Sequence, residues 1–251
     1  MSASAPGTEK GFGRLHGVGL GPGDPELLTL KAVRLIGEAQ VVAYFAKEGR
    51  PSNARHIASR WIKPGAVELA LNFPVTTEIP FDQPAYACEL RPFYEKAASE
   101  IAARLSAGRD VALICEGDPL FYGSFMHIQA RLKDRFAISV CAGITGMSGC
   151  WTAAQAPMSW GDDVLTVIPG TLPRAELARR LAGTDAAVVM KLGRNLPKIR
   201  AALTDAGLAE RAIYVERGTT TEERVLRLAD KSDDDAPYFA LILVPGEGRR
   251  P

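Results

Sequence analysis

Two short turns constrain the fold of this chain more than any other feature. LGPGDPELLTL (residues 20–30) and CEGDPLFYGSF (115–125) both set Gly-Asp-Pro between an apolar, strand-like run and a helical pattern. The aspartate caps a helix by accepting a backbone N–H, and proline suits the first helical position because its missing N–H would have no partner there. Glycine lets the backbone turn sharply and lets a ligand come close. One such turn alone is an ordinary helix cap. Two of them, each following a buried strand, point to a ligand cleft at the C-terminal edge of an open α/β sheet.

The rest of the chain supplies the sheet. RLHGVGL, VVAYF, DVALIC and FAISVC read as strands in the first half. Between them lie a helix over 26–39 (ELLTLKAVRLIGEA), a polar helix near 53–61, a short VELAL segment, a loop over 72–85 with three prolines, and a long helix over 86–106. Helices also follow the second Gly-Asp-Pro turn and AGITG. Alternating strands and helices imply a mostly parallel sheet. In the second half DVLTVIP, AAVVMKL, AIYVERG, RVLRLA and YFALILV read as strands, with helices near 173–182 and 195–206. That half ends strand after strand, so its sheet should be mixed. We place the joint near residue 144, giving an N-terminal α/β domain over 14–143 and a C-terminal one over 144–251.

Composition excludes several classes. The net charge of +1 leaves no global field to recruit nucleic acid or an anionic membrane, so an anionic ligand must be met by local Lys and Arg. No apolar run reaches the roughly 18 residues of a membrane span, so no spanning helix is expected, and MSASAPGTEKGF lacks the apolar segment of a signal peptide and reads as a disordered tail. Cys88, Cys115, Cys141 and Cys150 form no CxxC pair and are expected as buried, reduced thiols of a cytoplasmic protein. No His/Cys cluster offers a dedicated metal site, so any metal would arrive with the substrate.

The first glycine loop, HGVGLGPGDP, is not a nucleotide loop. No Lys-Ser or Lys-Thr follows Gly21 or Gly23, as a Walker loop would need. In a GxGxxG register begun at Gly17 and Gly19 the third glycine is replaced by Pro22, and the second strand ends in Lys47 instead of a ribose-binding acid. Asp24 also occupies the helix N-terminus where a phosphate would sit, and repels it.

Six stretches then occur in a fixed order: GVGLGPGDPELLTLKA, ICEGDPLFYGSF, AGITGMSGCWTAAQAP, VVMKLGRN, YVERGTTTEERV and YFALILVPG. In content and order they resemble the motifs of the tetrapyrrole (precorrin) methyltransferases, which use S-adenosylmethionine, and the resemblance runs from about residue 14 to 246. Within the family, VVAYFAKEGRPSNAR, the FPVTTE insertion and VMKLGRNLPKIR are most similar to the branch that methylates precorrin-2 at C20. The resemblance implies two α/β/α domains of the class III S-adenosylmethionine methyltransferase type, with the cofactor folded into the inter-domain cleft, and a homodimer. It places the cofactor against Pro22, the backbone of Glu116, Gly117 and Asp118, Phe121, Thr145, Gly146, Leu192, Gly218 and Ala240. Phe121, Leu192 and Met190 would sandwich the adenine. Gly19 and Gly21 would line the trough for the large substrate. The chain departs from many relatives in Gly146 and Met147, and in Gly218.

The implied reaction moves a methyl group to an electron-rich meso carbon, so alignment and desolvation are the main tasks. A proton then leaves that carbon, which makes a general base useful. Glu116 is the candidate, because it stands at a strand end with no capping duty; Asp24 and Asp118 read first as caps, Tyr122 lies beside the cleft, and His127 reads first as a helix-face histidine. The substrate is a polycarboxylate, for which Lys47, Arg50, Arg55, Lys191 and Arg194 are the candidate cations. Rival expectations are cobalt-precorrin-2, another tetrapyrrole position, uroporphyrinogen III, a protein histidine derivative of the diphthamide type, and a cofactor-binding sensor without catalysis.

Overall fold

The computed structural model describes residues 11–75, 79 and 83–248. These divide into two compact units on either side of the Thr145–Gly146 peptide.

The first unit runs β1 (Leu15–Gly19), α1 (Leu30–Glu38), β2 (Val41–Lys47), α2 (Asn53–Ala58), β3 (Val67–Phe73), α3 (Pro84–Ser106), β4 (Val111–Cys115), α4 (Phe125–Leu132) and β5 (Ile138–Cys141). The strands lie in the order β3-β2-β4-β1-β5, and every pairing is parallel. Parallel neighbours need long crossovers, which the helices provide, and helices on both faces bury the sheet twice. The all-buried run Val111–Cys115 illustrates this. Val111, Leu113 and Cys115 pack toward α3 and α4, while Ala112 and Ile114 pack toward α1 and α2. A fully buried side chain such as Leu113 contributes about 1.5–3 kcal/mol.

The second unit runs α5 (Gly146–Ala153), β6 (Leu165–Pro169), α6 (Arg174–Leu181), β7 (Ala186–Met190), α7 (Leu196–Asp205), β8 (Ile213–Glu216), β9 (Arg224–Arg227) and β10 (Ala240–Val244). Its sheet order is β6-β7-β10-β8-β9. Only β6 and β7 are parallel; β10 is antiparallel to both β7 and β8, and β9 to β8. The mixed character follows from the missing helices: a parallel crossover requires a helix, and short links favour antiparallel return.

Several expected boundaries move. The helix expected over 26–39 breaks in two. Asp24 and Pro25 start only a 3-10 turn over Pro25–Leu27; Leu28 and Thr29 are extended, and the Thr29 hydroxyl accepts the Ala32 N–H at 3.1 Å to begin α1. Leu30, expected on the apolar face, is 90% exposed as a result. The loop expected over 72–85 loses residues at both ends. Asn72 and Phe73 extend β3, held by pairing with Ala46 and Lys47 and by stacking of Phe73 on Phe45, and α3 starts at Pro84. Thr76, Thr77 and Glu78 of the FPVTTE insertion lie outside the described residues. The four cysteines are free, but Cys88 is exposed on α3 instead of buried.

Candidate active site

The expected ligand edge of the first unit is stitched together by three consecutive residues. Glu116 leaves the end of β4, and its Oε1 accepts the N–H of Ala54 in the first turn of α2 at 3.1 Å. Gly117 pairs with Gly21 beyond the end of β1, donating its N–H to the Gly21 carbonyl at 2.7 Å. Asp118 accepts the Gly143 N–H, beyond the end of β5, through Oδ2 at 3.0 Å, while Oδ1 accepts the Leu120 N–H at 2.9 Å. Each residue thus reaches a different segment of the edge.

The glycines here answer to packing as much as to a ligand. A Cβ on Gly19 would lie 2.6 Å from the Gly143 nitrogen and 2.7 Å from the Gly117 oxygen, and one on Gly143 would lie 2.1 Å from that oxygen. Gly117 itself has φ 66°, a left-handed conformation that side chains resist. Gly19 and Gly21 are both buried.

Two sequence readings of the acids need correction. Glu116 does have a capping duty, on α2. Asp118 does not cap α4, whose preceding residue, Ser124, also makes no side-chain cap; it closes its own turn and ties down β5. Asp24 does cap, accepting the Glu26 N–H at 2.8 Å. Among titratable groups, burial pushes the Glu116 carboxyl above the usual carboxylate range. Burial and the neighbouring Arg131 lower His127, which stacks on Tyr94 with ring centroids 4.2 Å apart. Tyr122 is 48% exposed and holds φ 55°.

The candidate cations differ in their surroundings. Arg55 is committed: its guanidinium donates to both oxygens of Glu68, at 2.9 and 3.0 Å. Arg50 lies exposed in the corner between β2 and α2, and Lys47 ends β2. Sequence reasoning missed Ser52, which organises that corner. Its hydroxyl donates to the Phe45 carbonyl at 2.8 Å and accepts the Arg55 N–H at 3.3 Å. The signal was a serine just ahead of a helical run, a standard N-cap pattern.

In the second unit, Lys191 and Leu192 follow β7, and Arg194 is exposed just beyond. Leu192 is 1% exposed and belongs to the core, so its side chain cannot flank an adenine and only its backbone remains available. Gly218 follows β8; a Cβ there would lie 2.8 Å from the Cys150 sulfur on α5. Ala240 opens β10 opposite Glu216. Lys191, Arg217 and Thr219 all hold positive φ, at 58°, 50° and 69°. Each such conformation costs about 1–3 kcal/mol, and such strain concentrates where function demands a particular backbone.

In the first unit Gly117 presents a backbone without a side chain. In the second, a Cβ built on Gly146 would have nothing within 4 Å. Among the described residues no group of three or more His, Cys, Asp or Glu could hold a metal ion, and no helix is long and apolar enough to cross a membrane.

Two α/β units with glycine-rich turns at their strand ends define an α/β class that hosts many unrelated activities. Comparison with known proteins makes the class specific: a family model described as tetrapyrrole (corrin/porphyrin) methylases matches residues 14–230, and the chain belongs to that family. It is 58% identical over 241 residues to the precorrin-2 C(20)-methyltransferase of Sinorhizobium sp, covering 96% of this chain and 98% of that one. It is 51% identical to the cobalamin biosynthesis protein CobIJ of Mycobacterium tuberculosis, over 95% of this chain but only 47% of that longer one. Among solved structures, uroporphyrin-III C-methyl transferase from Thermus thermophilus complexed with S-adenyl homocysteine superposes with a TM-score of 0.65 at 26% identity, covering 94% of this chain and 98% of that one.

Proposed function

We propose that this chain transfers a methyl group from S-adenosylmethionine to C20 of precorrin-2, giving precorrin-3A, in cobalamin biosynthesis. The observation that carries this is the 58% identity, over nearly the full length of both chains, to a relative of that name. When bound, the cofactor supplies a methyl group on an electrophilic sulfonium. The family resemblance assigns the cofactor to the turns at Gly117, Gly146 and Gly218, where backbone can approach it closely. Arg50, Arg194, Lys47 and Lys191 meet the carboxylates of the substrate and orient its meso carbon, so that catalysis is mostly alignment.

The proposal includes a homodimer, as the family resemblance implies, acting in the cytoplasm, the compartment that suits its unpaired thiols; light scattering checks the first and fractionation the second. The chemical test is the product formed from precorrin-2 and methyl-labelled cofactor. One labelled methyl at C20 is expected. A label at another carbon, or cofactor binding without transfer, overturns the assignment, and faster turnover of the cobalt-loaded substrate moves it to cobalt-precorrin-2. Calorimetry should show S-adenosylmethionine binding near the micromolar range, about −8 kcal/mol, with no requirement for added metal.

A further inference from the structure

We propose that Glu116 is a positioning residue. By accepting the Ala54 N–H, its carboxylate holds the β2–α2 corner, and with it Lys47 and Arg50, in register with the second Gly-Asp-Pro turn. The inference rests on the functional reading above only for the identity of the polycarboxylate that the corner meets.

The corner is a five-residue connection, Glu48–Ser52, between β2 and a helix of six residues. So short a helix has little stability of its own and depends on its contacts. Its first turn is fixed from three directions. Ser52 ties it to the end of β2 through the Phe45 carbonyl. Arg55 ties it to β3 through the fork onto Glu68. Glu116 ties it to the turn joining β4 to α4, across 62 residues of chain. The next two residues, Gly117 and Asp118, engage Gly21 and Gly143. A shift of the corner relative to Glu116 is therefore a shift of Arg50 relative to the whole strand-end edge of this unit.

The bond needs an acceptor oxygen at Glu116 and no negative charge. A glutamine meets that need, and a methionine of similar length does not. This separates positioning from proton abstraction, for which glutamine is useless at neutral pH.

The test compares Glu116→Met, Glu116→Ala and Glu116→Gln in the full chain by steady-state methylation of precorrin-2, calorimetric cofactor binding and amide hydrogen exchange over residues 48–58. Glu116→Met fills the space should the alanine variant fail to fold. The expected result is a KM for the tetrapyrrole raised about 5–20-fold in the methionine variant, cofactor affinity within about twofold of wild type, faster exchange at Ala54 and Arg55, and wild-type behaviour in all three readouts for the glutamine variant. A glutamine variant with normal KM and kcat reduced about 100-fold or more makes Glu116 the proton acceptor and overturns the proposal. Unaltered exchange and KM in the methionine variant overturn it as well. Wild-type protein that fails to methylate precorrin-2 sinks the functional reading instead, and the exchange measurement still tests the tether.

Discussion

The N–H of Gly117 donates to the carbonyl of Gly21 at 2.7 Å, and the Gly21 N–H points back at the Gly117 carbonyl at 3.4 Å. This reciprocal bridge joins the two Gly-Asp-Pro turns backbone to backbone. It forms because Gly117 adopts φ 66° and Gly21 φ 78°. A β-branched residue at Gly117 would carry a cost of at least about 1–2 kcal/mol for the left-handed backbone and would place two methyl groups beside the bridge. Gly117→Val should therefore lower the melting temperature by several degrees and abolish S-adenosylhomocysteine binding, by differential scanning fluorimetry and calorimetry. Normal ligand binding in that variant would show that the turn is not a cofactor contact.

Gly218 and Cys150 make a second close approach. An added Cβ would meet the sulfur at 2.8 Å and the Cys150 Cα at 3.2 Å. The thiol is buried, and desolvation pushes its pKa up to about 12, so it stays a neutral, packed group. Gly218→Ala should destabilise the protein by about 1–3 kcal/mol through overpacking. Adding Cys150→Ala removes the nearest obstacle, so the double variant should be more stable than Gly218→Ala alone. Additive losses in that double-mutant cycle would mean the two side chains do not compete for space.

Glu116 should also leave a mark on the pH dependence of stability. Burial raises its folded-state pKa above the ordinary carboxylate value of 4.5, so the folded protein holds this proton more tightly than the unfolded chain. Its contribution is therefore fully present below pH 4.5 and is lost as pH rises through the raised folded value. Glu116→Gln removes that dependence while keeping an acceptor for Ala54. Urea titrations across the range from about pH 4 to about pH 8 should show the stability of the Glu116→Gln variant, minus that of wild type, growing with pH. A difference that is flat, or that shrinks with pH, would place the carboxylate in a solvated or charge-stabilised setting.

Arg50 and Arg194 are exposed and Arg55 is locked to Glu68. Charge-assisted bonds to substrate carboxylates should make Arg50→Ala and Arg194→Ala raise the KM for precorrin-2 about 10-fold, a loss of about 1.4 kcal/mol, with cofactor affinity unchanged. Arg55→Ala loses no open donor, because its fork is occupied; a rise in its KM should come with faster amide exchange over residues 48–58, as the corner loosens. A raised KM with unaltered exchange would show that the Arg55–Glu68 pair opens to bind substrate.

What was legible in the sequence was whatever short-range chemistry controls. Buried runs such as Val111–Cys115 and the alternation of strands with helices identify a parallel sheet, because a parallel return demands a crossover. The strand-after-strand ending identifies the mixed one. Six ordered motifs identify the family. The rest depended on contacts between residues far apart in the chain. Nothing local to Glu116 reveals that it caps a helix that begins far upstream at Asn53, nor does anything near Arg55 reveal Glu68 across the β2–β3 connection. Leu192 reads as an available apolar residue after a strand, yet the fold buries it in the core of the second unit. Hydrophobic pattern determines which residues seek burial and which turns are sharp. Tertiary structure decides which buried polar atom finds which partner, because that choice rests on angstrom-scale proximity that strand order and register create.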